Sequence, residues 1–344
     1  MNITKKGFGT YNNQQVDQYT LTNDNDVSIS VLTFAGLWRE FNVPSKGKTQ
    51  NILLNASSVA NYNNNPFYVG RVIGRIAGRL KNGQFNLNGT DYQVDQNEGN
   101  NMLHGGKNGF ANQVWAATTD QTSNTVSITL TKTMTEAMDQ FPGTMPASVT
   151  YTLSNDNSVK LAFTASSDED TLFNPTSHAY WNLADENTDN ILNHTLQINS
   201  DNHLDVDNEK MPTGKMLANQ GTPFDFSQPV VLKKAIHEMS NTTEKGFDDI
   251  VEVKGSEDTP IATLTDQASG RKIKIFSNRN GLIVFTANSM NSDATFNRGI
   301  GHPYEAIALE AQTLPDTPHH PEFGDITLKA NETKSYEIKY EVEF

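Results

Sequence analysis

The chain has 344 residues, with 26 Lys and Arg against 40 Asp and Glu, a formal net charge of -14 and no cysteine. That balance lacks the basic footprint of a nucleic-acid binder and would be repelled by anionic membranes. The missing cysteines remove disulfides, thiolate metal sites, Fe–S clusters and a cysteine nucleophile. Hydrophobic residues make up only 35%, and 39 asparagines favour turns over helix interiors. No apolar run reaches the length of a spanning helix, about 18 residues. The segment Met1-Asn2-Ile3-Thr4-Lys5-Lys6-Gly7 runs into polar residues rather than a signal-peptide core. A soluble, cytoplasmic protein is expected.

The dominant local signal is alternation with period two. It begins at Val27, Ile29 and Val31, each separated by serine, and Ser57 to Tyr62 then reads as a short helix. Phe85 and Leu87 pair with Tyr92 and Val94 across Asn88-Gly89, a strong hairpin dipeptide. Val126, Ile128 and Leu130 form the next one-sided strand. Val149, Tyr151 and Leu153 are followed by Val159, Leu161 and Phe163 across the turn Asn155-Asp156-Asn157, a second hairpin. Val231 to Met239 reads as another short helix. Ile273 and Ile275 precede Leu282-Ile283-Val284-Phe285, with Asn278-Arg279-Asn280-Gly281 between. Tyr336, Ile338, Tyr340 and Val342 line one face of the last strand. One buried face per strand is the mark of antiparallel sheets. With no G-x-G-x-x-G, P-loop or βαβ rhythm, the chain is expected to be all-β and mostly antiparallel. Residues 1–344 would form one domain of two large sheets packed face to face.

Few residues stand out chemically. Three of the seven arginines, Arg71, Arg75 and Arg79, fall in one window at four-residue spacing. That spacing suits one face of a helix or strand, for ion pairing with the acidic excess or for a phosphate. His104 precedes Gly105-Gly106, which implies a tight backbone and open access to the ring; a plain turn histidine is the alternative. His178 lies in Phe173-Asn174-Pro175-Thr176-Ser177-His178-Ala179-Tyr180-Trp181-Asn182, among hydrogen-bonding side chains and aromatics that suit a sugar ring. A satisfied core histidine is the other reading. Glu310 interrupts the apolar strand Ala306 to Ala311, which is costly unless the carboxylate is paired or used, or unless the strand runs out to solvent. Asp248 and Asp249 follow Gly246-Phe247 and read most simply as a loop pair. His319-His320, with Asp316 and Glu322, lacks a metal-ligand spacing, so no metal site is expected.

Six short segments, in order, resemble the aldose 1-epimerase (galactose mutarotase) family: Gly74 to Arg79, Asn97-Glu98 through Gly106, Phe141-Pro142-Gly143, Asn174 to Leu183, Gly246 to Asp248, and Leu309 to Gln312. The resemblance spans about Phe8 to Phe344 and implies a β-supersandwich. It also implies roles: Glu310 as general base, His178 as general acid, His104 near the sugar's ring oxygen, and Arg79 and Asp248 as hydroxyl anchors. Arg71 and Arg75 match no functional position. The sequence departs from the family at Gly78, where many members have Asn, at Asp249, where many have His, and at Ser177, where Asn or Gly is frequent. These departures bear on sugar preference.

The implied reaction interconverts the α and β anomers of free galactose or glucose. A base takes the C1 hydroxyl proton, an acid protonates the ring oxygen, the ring opens, C1–C2 rotates and the ring recloses. It needs no cofactor or metal. The expected partner is a small-molecule monosaccharide, with no nucleic acid or membrane, and the protein would be a monomer or homodimer. The alternatives are an epimerase of hexose 6-phosphates and a non-catalytic carbohydrate-binding domain.

Overall fold

A computed structural model describes residues 1–291 and 293–344. Three antiparallel sheets make up most of it. The largest has nine strands and is built around Thr125–Met134, Met145–Ser154, Ser158–Ser166 and Thr333–Glu343. A six-stranded sheet contains, in order, Tyr180–Trp181, Ile307–Gln312, Gly281–Phe285, Asp248–Glu252, Asn202–Val206 and Pro212–Ala218. A five-stranded meander runs from Asn2–Tyr11 to Lys48–Asn51. Helices are short: Val59–Asn63, capped by Ser58 Oγ accepting from Asn61 N (3.1 Å), Glu136–Asp139, and Leu232–Glu238. Among the described residues no helix is long and apolar enough to cross a membrane.

One face of each large strand feeds a shared core. Val126, Ile128 and Leu130, Val149, Tyr151 and Leu153, and Ile338 and Tyr340 from the nine-stranded sheet pack in one cluster with Ile307, Leu309 and Ala311 from the six-stranded sheet. Ile29, Trp38 and Phe41 of the meander join it. Alternation along Ile307–Gln312 then forces Glu310 to the opposite face, away from this core. The expected two-sheet packing is met by a nine-stranded layer against two smaller sheets. The expected hairpins at 84–93 and 145–166 both form; in the first Phe85 pairs with Tyr92 and Leu87 with Thr90, leaving Val94 beyond the ladder.

One connection goes further than a local turn, and one local expectation needs correction. Lys272–Phe276 and Gly281–Phe285 do not pair with each other. The first lies in the nine-stranded sheet and the second in the six-stranded one, so residues 277–280 cross between layers. The arginine window forms neither a helix nor one strand face, because Val72–Ile73 and Arg79–Leu80 are separate two-residue strands. Its guanidiniums therefore go to three different places and make no common anion site. Arg71 donates to the carbonyls of Tyr62 and Ala111 and to Asn112 Oδ1. Arg79 faces Glu98.

Arg75 is fully buried and spends every donor. Nε and Nη2 grip Asp139 at 2.8 and 3.0 Å, and the rest reach Pro142 O, Thr171 Oγ1 and Gly143 O. It pins the loop carrying Arg79 to Phe141-Pro142-Gly143. Asp139→Asn leaves a buried guanidinium without its counter-charge. We expect a loss of about 3–5 kcal/mol, seen as a clear drop in Tm by calorimetry; an unchanged Tm would show that the pair is dispensable.

Candidate active site

Two segments that are remote in sequence run antiparallel and carry the central pair. Tyr180 and Trp181 register against Ala308 and Ile307. Upstream of them, side chains continue the zipper where backbone pairing stops. Asn174 Nδ2 donates to Thr313 O (3.1 Å), Thr313 N donates to Asn174 Oδ1 (3.0 Å), and Thr176 Oγ1 donates to Ala311 O (2.8 Å). Beyond the strand, Asn182 Nδ2 donates to Glu305 O (2.8 Å). Arg279 donates to Pro175 O and Asn174 Oδ1, locking the same segment. His178 sits between these ties, its own N–H donating to Arg71 O at 2.9 Å. Glu310 faces it from mid-strand, with His178 Nε2 and Glu310 Oε1 3.4 Å apart.

All five residues singled out in the sequence line one cavity of about 230 Å³: Arg79, His104, His178, Asp248 and Glu310. Glu310 is 1% exposed and His178 5%, so Glu310 does not sit on a strand running out to solvent. Among the described residues Glu310 Oε2 and His178 Nδ1 have no partner, so His178 is not a satisfied core histidine either. Asp248 opens the strand Asp248–Glu252 instead of lying in a loop.

His104 corrects another expectation. Its ring is buried, not openly accessible. It lies edge-on to His178 at 5.2 Å and to Tyr68 at 5.0 Å. Its backbone takes the left-handed region at φ 54, and Gly105 follows at φ 81, where a Cβ would come within 2.0 Å of Gly74 O. Gly105 serves close backbone approach, and Gly106 at φ 77 supplies a left-handed turn residue. His104 Nδ1 accepts from Gly78 N at 3.2 Å. A neutral ring therefore carries its proton on Nε2.

The other end of the cavity is charged. Arg79 holds Glu98 with two bonds of 2.6 and 2.8 Å and lies 3.6 Å from Asp248 Oδ2. Sequence reading quoted Glu98 only as part of a motif, although it is the main partner of Arg79. Of the two aromatics beside His178 that suit a sugar ring, Tyr180 lines the cavity, but the walls Phe67, Tyr68 and Phe285 and also Lys210 were not expected. Tyr180 stands two residues beyond His178 and stacks on its ring at 5.1 Å. Lys210 is brought in by a hairpin and no local pattern marks it.

Burial governs the titration of the central pair. It lifts Glu310 well above the ordinary carboxylate range, Asp248's charge adds to the lift, and Arg79 opposes it. Burial also pulls His178 down to about 3, with Arg71's charge acting in the same direction. His104 is depressed for the same first reason, then by His178 and Arg79. Lowered histidines leave the unfolded chain binding more protons than the folded one between the ordinary value near 6.5 and the folded value, so their contribution to stability falls as pH falls through that window. His104, His178 and Glu310 also bring one potential ligand atom each within 4.8 Å of one another. We expect ¹⁵N spectra of labelled histidine to show the His178 ring neutral in the free protein from pH 8 down to pH 5; a charged ring at pH 6 would contradict the burial argument.

The chain is similar to known proteins along nearly its whole length. The aldose 1-epimerase family profile matches residues 17–341. A maltose epimerase of Levilactobacillus brevis is 42% identical over 99% of both chains. An aldose 1-epimerase of Streptococcus thermophilus is 37% identical over 99% of this chain and 98% of its own. The galactose mutarotase of Homo sapiens is 31% identical over 83% of this chain and 82% of its own. The crystal structure of a galactose 1-epimerase from Lactobacillus acidophilus superposes with a TM-score of 0.88 at 26% identity, over 100% of this chain and 99% of that one. The β-supersandwich expected from the sequence is therefore the fold, and the chain belongs to the aldose 1-epimerase family of isomerases.

Proposed function

We propose that the cavity interconverts the anomers of neutral aldoses, galactose and glucose among them, with Glu310 and His178 as the proton-transfer pair. The observation that carries this reading is a carboxyl and an imidazole 3.4 Å apart, buried, each with an unpartnered polar atom. A proton-transfer pair needs that juxtaposition. A sugar-binding module has no use for a buried, unsatisfied carboxyl group, which is costly to keep.

The pair carries one proton in either of two arrangements. Carboxylic acid with neutral imidazole, and carboxylate with imidazolium, have the same proton count. Burial favours the neutral arrangement in the free protein. A sugar whose C1 hydroxyl meets Glu310 and whose ring oxygen meets His178 supplies hydrogen bonds to the charged one. Glu310 then takes the C1 hydroxyl proton while His178 gives one to the ring oxygen. The C1–O5 bond breaks, the aldehyde forms, C1–C2 rotates, and reclosure returns both protons. The Nε2–H of His104 is available to steady the ring oxygen. Arg79 and Asp248 hold hydroxyls while the chain is open, keeping the ends in reactive geometry.

Charge placement speaks against a phosphorylated substrate. The cations lining the cavity are Arg79 and Lys210. Arg79 faces Glu98 and Asp248, and Lys210 lies 3.4 Å from both Glu244 and Asp249. A phosphate dianion would meet these carboxylates. The 42% identity to a protein named maltose epimerase favours the reducing end of a disaccharide as a further substrate.

Polarimetry of freshly dissolved α-glucose, α-galactose and maltose tests the reading. Glu310→Gln and His178→Asn are each expected to lose about 10² to 10⁴-fold in rate with an unchanged circular dichroism spectrum. Near-normal rates in either folded variant, or faster turnover of glucose 6-phosphate than of glucose, would overturn it.

A further inference from the structure

Two features remain unexplained by the acid–base pair: the departures from the family pattern at Gly78 and Asp249. Gly78 has φ 76, and a Cβ there would come within 2.7 Å of Pro315 Cβ. This position cannot carry a hydrogen-bonding side chain in this chain. Asp249 is 6% exposed. Its Oδ2 accepts from Asp248 N at 3.0 Å and its Oδ1 lies 3.4 Å from Lys210 Nζ. Burial raises the Asp249 pKa and Lys210 opposes the rise. Asp249 and Lys210 thus form one unit in which the carboxylate aims the ammonium and braces the neighbouring Asp248.

Lys210 stands at φ 61 in the turn between Asn202–Val206 and Pro212–Ala218. Asp207 Oδ1 shapes that turn by accepting from Glu209 N (2.8 Å) and Met211 N (3.0 Å). Asn101 Nδ2 ties its tip to the segment bearing His104 by donating to Glu209 Oε2 at 3.0 Å. The Lys210 side chain is 14% exposed and lines the cavity. Its two carboxylate neighbours, Glu244 and Asp249, are both at 3.4 Å, longer than the roughly 2.7–2.9 Å of a charge-assisted bond. An ammonium has three donors, so this one is held in place with donor capacity to spare.

From this arrangement we propose that Lys210 is a specificity-determining sugar ligand. It donates to an oxygen on the part of the sugar remote from C1. The inference rests on the proposed epimerase reading, which places C1 at Glu310. Glu310 and Asp249 lie on strands separated by Gly281–Phe285, two strand spacings or about 10 Å apart. A hexose with C1 at Glu310 therefore turns its C4 and C6 side toward Lys210. An ammonium only donates, so it serves a hydroxyl and a glycosidic ether oxygen equally well. Glu98 and Asp248, as carboxylates, require a hydroxyl that donates. Lys210 can therefore hold a free hexose and the reducing ring of a 1,4-linked disaccharide through the same contact.

The test is the kcat and KM of Lys210→Met on glucose, maltose, 4-deoxyglucose and 6-deoxyglucose. We expect KM for glucose and maltose to rise roughly 10-fold, the effect of losing one charge-assisted hydrogen bond, with kcat within about twofold. The rise should vanish on whichever deoxy sugar lacks the contacted oxygen, and Lys210→Arg should restore part of the loss. Lys215→Met, which removes an exposed ammonium on the following strand outside the cavity, should leave KM unchanged. Three results would each overturn the proposal: an unchanged KM in Lys210→Met, an equal rise on all four sugars, or the same rise in Lys215→Met. A wild-type protein inactive on every sugar would instead overturn the underlying epimerase reading, and this inference with it.

Discussion

A carboxyl group and an imidazole 3.4 Å apart and nearly sealed from solvent cannot cheaply hold separate charges. Burial pushes each toward its neutral form, so the pair keeps one proton between them. That proton is the one the proposed reaction needs to move. A surface carboxylate and a surface histidine at the same distance would each hold its charge, because water solvates and screens both. The rest of the site serves to keep these two groups buried, facing each other, and open on one side to a polar ligand.

Much of the fold can be understood as the means of doing so. Alternation along Ile307–Gln312 sends Ile307, Leu309 and Ala311 into the core and leaves Glu310 on the cavity face. The segment 174–182 is then held against 305–313 by Asn174, Thr176 and Asn182, and by the buried Arg279 behind them. These polar residues replace a regular ladder at the one place where backbone pairing is interrupted to present His178. Burying them satisfied with hydrogen bonds fixes one geometry, where an apolar contact would allow several. Arg75 does the corresponding work for the loop that carries Arg79.

The all-β class was legible because its strands bury one face only: Val126, Ile128 and Leu130, or Val149, Tyr151 and Leu153, alternate cleanly. The strand Ser28–Leu32 was read from Ile29 and Val31, yet Ser30 and Leu32 are buried as well. Alternation does not reveal how many layers surround a strand. Local pattern also could not tell that residues 277–280 cross between sheets, since a turn between two apolar runs reads the same whether the runs pair or part. Among the site residues, Glu310 betrayed itself by interrupting an apolar run, and His178 by its polar and aromatic neighbours. Glu98 and Lys210 left no comparable trace. Each acts through a partner far away in sequence, Arg79 for one and Asp249 for the other, and charge partners have no periodicity. His104 was found for a reason that did not hold, because Gly105 answers to the backbone of Gly74 and Gly106 to a left-handed turn rather than to access for the ring.

If Glu310 and His178 are two halves of one proton-transfer unit, removing the second after the first should change little. The direct measurement is a double-mutant cycle on the polarimetric rate constants of Glu310→Gln, His178→Asn and the combined variant. A shared-proton pair predicts that the double variant is about as slow as the slower single one. Losses that multiply, with the double variant falling by the product of the two single effects, would show two independent groups and contradict the account.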